Sequence, residues 1–279
     1  MAGKRRRRIP IPLLPVFLGV SCIGLALPVA HATTIVGIRT PAQVVIAADS
    51  MGTSRGNRIE TTRLVCKIFT VRDTVFAIGG IAKDPPWNFD AENLTAESLR
   101  RQNRLTETAN DLTERLTGML GSYLERLKQG NPSLYAKSLE GENGTITSIL
   151  LAAYEGDQPV AIGMGFRASE EPGGRVRITA TRVTCPGDCP NGVMYFFLGE
   201  RRPIDRYIAE HGEDRLLPAG SGAPFLVQLV IDGGSKRVGP PIDVVVIDRQ
   251  GVSWPARKEG CGGDLLPDSS TLSKDKIRP

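Results

Sequence analysis

The sequence predicts an α+β fold: two stacked antiparallel sheets with helices packed on both outer faces. Three observations predict it. Short apolar segments with turn residues between them fill the stretch from Thr33 to Ile78. A helical stripe then takes over, with Leu105, Ala109, Leu112, Leu116, Met119, Tyr123 and Leu127 three or four residues apart. Strands, two more helices and a last strand follow, so sheet and helix material alternate in blocks rather than as βαβ units.

Taken in order, Thr33–Arg39 reads as a strand and Gln43–Ala48 as its hairpin partner across Thr40-Pro41-Ala42. Asp49 ends the second strand, and Gly52–Thr62 reads as a polar loop. Val65–Val71 and Val75–Ile78 form the next pair, turning at Arg72-Asp73-Thr74 and running into Gly79-Gly80. A helix is predicted near Ala91–Arg100, ahead of the long stripe that Gly130-Asn131-Pro132 stops. Thr145–Tyr154 is a buried strand, Pro159–Phe166 its partner, and Val176–Val183 alternates as a half-exposed strand does. Val193–Leu198 reads as a strand, Pro203–Glu210 and Ala223–Ile231 as helices, and Ile242–Ile247 as the closing strand. One domain spans residues 33–258, and the Gly/Pro/Ser-rich polar stretch 259–279 reads as a disordered tail.

Residues 1–32 read as a signal peptide. Lys4 and Arg5–Arg8 give a basic start, an apolar run broken by Pro10, Pro12, Pro15 and Pro28 follows, and Ala30-His31-Ala32 supplies an A-x-A cleavage pattern. A retained anchor is the alternative; the prolines and the adjoining cleavage pattern favour removal, an exported protein (periplasmic or secreted) and no stable membrane span. The leader's basic residues account for the whole formal charge of +5, because the rest of the chain balances its 30 acidic residues. No basic stripe with interleaved aromatics remains, so nucleic-acid binding is excluded.

Histidine counting narrows the chemistry further. His31 leaves with the leader, and His211 lies in a polar Glu210-His211-Gly212 context at a helix end. A Ser-His-Asp triad or a histidine-based zinc site does not fit one surface histidine. Beyond the leader the cysteines are Cys66, Cys185, Cys189 and Cys261. Cys185-Pro-Gly-Asp-Cys189 is suited to a small disulfide loop or half of a metal knuckle, and Cys66 reads as a buried thiol.

Cleavage after Ala32 leaves Thr33 as the N-terminus. An N-terminal threonine is a complete nucleophile–base unit, since its hydroxyl attacks and its own α-amine accepts the proton. A free α-amine titrates at about 7.7–8.0, so no imidazole is needed at neutral pH.

Thr33-Thr34-Ile35-Val36, followed by Val44-Val45-Ile46-Ala47-Ala48-Asp49-Ser50, resembles the start of proteasome β subunits and of the bacterial HslV protease. The resemblance runs from Thr33 to about Val252 and is densest in the first fifty residues and near Asp232. It implies a four-layer αββα sandwich of the N-terminal-nucleophile (Ntn) hydrolase type, with no cofactor. It also implies roles for individual residues. Thr33 matches the nucleophile, Asp49 the aspartate that pairs with a buried lysine, and Lys67 that lysine, slightly later than the family spacing. Gly79 or Gly80 matches the glycine whose N–H stabilises an oxyanion. Asp232 and Ser235 keep the family's Asp-x-x-Ser spacing and match the groups that support the threonine amine.

The chain departs from that pattern in three places. Gly199-Glu200-Arg201-Arg202 stands where the family has a Ser-Gly-Ser triplet, Ala32 precedes the nucleophile in place of glycine, and the Cys185–Cys189 segment is an insertion. The expected function is an exported threonine peptidase acting on a peptide or amide substrate, with a homo-oligomeric ring as a possible assembly. An amidase acting on small acylated compounds and a non-catalytic, proteasome-like binding subunit are the alternatives.

Overall fold

A computed structural model of the chain describes residues 33–55, 60–139, 144–216 and 218–261. The expected leader, residues 56–59 of the expected Gly52–Thr62 loop and the tail beyond Cys261 lie outside the described residues. The fold is mixed α/β, with several sheets and five α-helices among the described residues.

One five-stranded sheet has the order β12-β1-β2-β13-β14: β12 is Met194–Gly199, β1 Thr34–Arg39, β2 Gln43–Ala48, β13 Asp243–Asp248 and β14 Gly251–Ala256. A second has the order β11-β10-β9-β6-β5: β11 is Val176–Cys185, β10 Gln158–Glu170, β9 Thr145–Glu155, β6 Thr74–Gly80 and β5 Ile68–Val71. All the pairings in both sheets are antiparallel. Alternation along each strand then sends successive side chains to opposite faces. Ile35 joins a core shared with Ala77, Leu150 and Ala161 of the second sheet, whereas Val36 joins Ala223, Leu226 and Val230.

Helices pack with each of the two sheets. α1 (Ala91–Arg101) starts at Asp90, whose carboxylate accepts from the Asn93 N–H at 2.8 Å and so satisfies an otherwise free donor. α2 (Leu105–Gly130) buries Leu112, Leu116, Leu120, Leu124 and Leu127 against Phe76, Leu151 and Phe166 of the second sheet. α4 (Arg202–His211) and α5 (Ala219–Asp232) lie with Val36, Ile38, Val45 and Ala47 of the first. Among the described residues, no helix is long and apolar enough to cross a membrane.

Several expectations change in detail. The polar stretch after Asp49 contains a hairpin, β3 (Met51–Arg55) with β4 (Glu60–Leu64), because its Thr-rich flanks pair with each other. A short helix, α3 (Pro132–Leu139), follows the Gly130-Asn131 stop: Pro132 takes its first position, where the missing N–H costs nothing. Val65–Lys67 precede β5 rather than forming part of it, and β6 runs on through Gly79 and Gly80. Beyond Ile247, β14 adds an edge strand whose Gly251 start and Pro255 blurred the sequence pattern. β7 (Lys83–Asp84) and β8 (Phe89–Asp90) form a further small hairpin.

Cys66 is not a buried thiol. It is disulfide-bonded to Cys261, and Cys185 closes its loop with Cys189. Cys261 is 8% exposed, so the first residues of the stretch expected to be a disordered tail are fastened to the fold.

Candidate active site

The N-terminal end of β1, the C-terminal ends of β12 and β2, the start of β5 and the end of β6 converge on one place. Antiparallel pairing places Thr34 opposite Gly199 and Ile35 opposite Ala48 within one sheet, and contacts of Lys67 with Asp49 and of Gly79 with Leu198 bring the other sheet to them. Asp49 stands just past β2, with its side chain fully buried.

Buried carboxylates need several partners to stay charged. Asp49 has them. Its Oδ1 accepts from the Thr34 N–H at 2.9 Å and from Lys67 Nζ at 2.5 Å, and its Oδ2 accepts from the N–H groups of Met51 (3.1 Å) and Gly239 (3.2 Å). Its own N–H donates to the Thr34 carbonyl at 3.1 Å. One carboxylate oxygen thus joins the backbone next to Thr33 with the lysine ammonium. Burial pushes the Lys67 pKa below its ordinary value; the Asp49 carboxylate opposes this and the Lys258 charge reinforces it.

Thr33 is 8% exposed, and its carbonyl accepts from the Glu200 N–H at 2.7 Å. The Thr34 hydroxyl donates to the Glu200 carbonyl at 3.0 Å, so residue 200 grips both threonines through its backbone. The Glu200 side chain turns to Ser235, whose hydroxyl donates to Oε2 at 2.8 Å. Glu200 therefore holds Ser235 as well as the strand that begins at Thr33.

Glycines allow the close approach. A Cβ at Gly79 would meet the Leu198 Cβ at 2.9 Å. Gly80 has φ +82° and Gly199 φ +86°, a region that side chains disfavour, and a Cβ would overlap the Ile146 carbonyl at Gly80 and the Thr33 carbonyl at Gly199. Gly199→Ala is expected to lower stability by about 1–3 kcal/mol and to displace Thr33. Gly156→Ala, also at positive φ but with open space around the added carbon, is the control and should lose only about 1 kcal/mol. Urea unfolding of both variants compares them.

Of the residues expected from the sequence, the structure gathers Thr33, Asp49, Lys67, Gly79, Gly80 and Ser235. Asp232 stands apart: it is exposed at the end of α5, where its carboxylate accepts from Gln228 at 2.7 Å. His211 is exposed at the end of α4, its ring stacked on Tyr207 with centroids 4.4 Å apart. Among the described residues, no group of three or more His, Cys, Asp and Glu is placed to hold a metal ion.

No protein-family model and no curated protein matches the chain. Among solved structures, it is similar to the Gly-1 mutant of Anbu from Hyphomicrobium sp. strain MC1, at 16% sequence identity and a TM-score of 0.45, over 81% of this chain and 87% of that one.

A second buried ion pair lies next to the Asp49–Lys67 pair. Lys258 Nζ contacts Asp243 Oδ2 at 2.5 Å and donates to Ser50 Oγ at 2.8 Å. The Ser50 hydroxyl donates in turn to the Pro241 carbonyl. Asp243 is 1% exposed. Its only signal in the sequence is an acidic residue at the first position of an apolar strand, a pattern shared with many solvent-facing strand ends.

Proposed function

We propose that the chain is an exported N-terminal-threonine hydrolase of the proteasome β subunit and HslV type, folded as a four-layer αββα sandwich and activated by removal of residues 1–32. The observation that carries the reading is the Asp49 oxygen that takes both the Thr34 N–H and Lys67 Nζ. It ties a buried cation to the backbone of the residue that follows the nucleophile.

In this reading, cleavage after Ala32 frees the α-amine of Thr33. The amine takes the proton as Thr33 Oγ1 attacks the scissile carbonyl carbon. The oxyanion develops near the Gly79-Gly80 backbone, and the amine's proton passes to the departing nitrogen. Water then hydrolyses the threonyl ester, which releases the acid and restores the hydroxyl. Lys67 supplies fixed positive charge that favours the alkoxide as it forms.

The Glu200–Ser235 pair favours a second reading, an amidase for small acylated compounds. A ring that encloses the site suits peptides, whereas an open monomer suits small amides.

Intact mass and N-terminal sequencing of the exported protein test the proposal. The mature chain is expected to begin at Thr33 and to cleave peptides or acyl amides. Any other N-terminus removes the nucleophile from its place and sinks the reading.

A further inference from the structure

The two buried ion pairs stand on adjoining parts of one chain path. Asp49 and Ser50 are consecutive, and Asp243 lies opposite Ala48 in the β2–β13 register. Lys258 reaches this position from the segment after β14. Its N–H donates to Asp243 Oδ1 at 2.7 Å, and its Nζ bridges Asp243 and Ser50. Its side chain is only 6% exposed.

Further contacts hold the same segment. Beyond Lys258 it turns, the Cys261 N–H donating to the Lys258 carbonyl at 3.4 Å and the Arg257 guanidinium to the Cys261 carbonyl. The Arg257 guanidinium stacks over Trp254, 4.0 Å from the ring centroid. The covalent anchor is the Cys66–Cys261 disulfide, which spans 195 residues of sequence. Cys66 is the residue immediately before Lys67. One bond therefore fixes the chain beside Lys67 to the chain that delivers Lys258, and closing so long a loop constrains the alternatives strongly.

We propose that Lys258 is a positioning residue that acts through Lys67: paired with Asp243 and held by the Cys66–Cys261 disulfide, it sets a second buried cation beside the Asp49–Lys67 pair, where its like charge opposes the Lys67 ammonium. The consequence for catalysis rests on the hydrolase reading; the arrangement of the two cations does not. The charged groups that act on Lys67 among the described residues are Asp49 and Lys258, and Asp243 faces Lys258. Removing the Lys258 charge takes away a neighbour that disfavours the Lys67 ammonium, so Lys67 then keeps its proton to higher pH.

The test is a lysine 13Cε NMR titration of the full mature chain, with the Lys67 signal assigned by its disappearance in Lys67→Arg. Asp243→Asn/Lys258→Met replaces the second pair without leaving an unpaired buried charge, so folding is preserved better than by a single change. In this variant the Lys67 midpoint is expected to rise above the wild-type value, because Lys258 is the charge that acts against the Lys67 ammonium. Cys66→Ala/Cys261→Ala is expected to move it in the same direction, because Lys258 is no longer held. Lys258→Arg keeps the charge and is expected to leave the midpoint near the wild-type value. A Lys67 signal that titrates as in the wild type in either double variant overturns the proposal. Absence of hydrolysis by the wild-type protein would instead count against the hydrolase reading and leave the titration result standing.

Discussion

Thr33→Ala, cut so that alanine becomes the N-terminus, is expected to lose kcat for peptide or acyl-amide hydrolysis by at least about a thousandfold. The substitution removes Oγ1 and keeps the α-amine, so it separates the nucleophile from the base. It should leave the fold nearly untouched. The Thr33 carbonyl still accepts from the Glu200 N–H, and Thr34 still joins Asp49 and Gly199 through its backbone. A stability change within about 1 kcal/mol is therefore expected, read by thermal unfolding. Thr33→Ser should retain measurable turnover, since it keeps a hydroxyl on the same carbon. If Thr33→Ala hydrolyses substrate at the wild-type rate, Thr33 is not the nucleophile.

The sequence made much of this site legible because its parts lie where strand ends are easy to read. Asp49 follows the apolar run Val44–Ala48, Gly79-Gly80 follows Val75–Ile78, and Thr33 follows the expected Ala30-His31-Ala32 cleavage pattern. Sheet pairing then brings the beginning of β1 to the ends of β2 and β12. The Lys258–Asp243 pair was illegible for the opposite reason. Its partners are 15 residues apart across β13 and β14, and nothing local distinguishes Lys258 from a solvated lysine near a chain end. The Cys66–Cys261 bond was hidden likewise, because Cys66 borders an apolar strand and looks like core. Asp232 shows the limit of spacing as an argument. Asp-x-x-Ser put both groups at the turn after α5, but the helix end points the aspartate at Gln228 while Ser235 reaches Glu200.

Asp49→Ala is expected to be the most destabilising single change in the site, about 3–5 kcal/mol, because it strands the Lys67 ammonium in a buried place. It also removes the acceptor for the N–H groups of Thr34, Met51 and Gly239. An unpaired buried donor costs about 1–3 kcal/mol where water cannot reach it. Lys67→Met should cost less. It leaves Asp49 with those same three N–H groups and fills the lysine's space with a chain of similar length, while the strong desolvation of the ammonium is relieved. Urea unfolding ranks the two variants, and the order decides what the pair is for. If Asp49→Ala is much the worse while both lose hydrolysis, Asp49 is the structural keystone and Lys67 the group that serves the chemistry. Equal destabilisation would mean that the pair acts only as a single buried bridge, and the case for Lys67 as an electrostatic aid to Thr33 would fall with it.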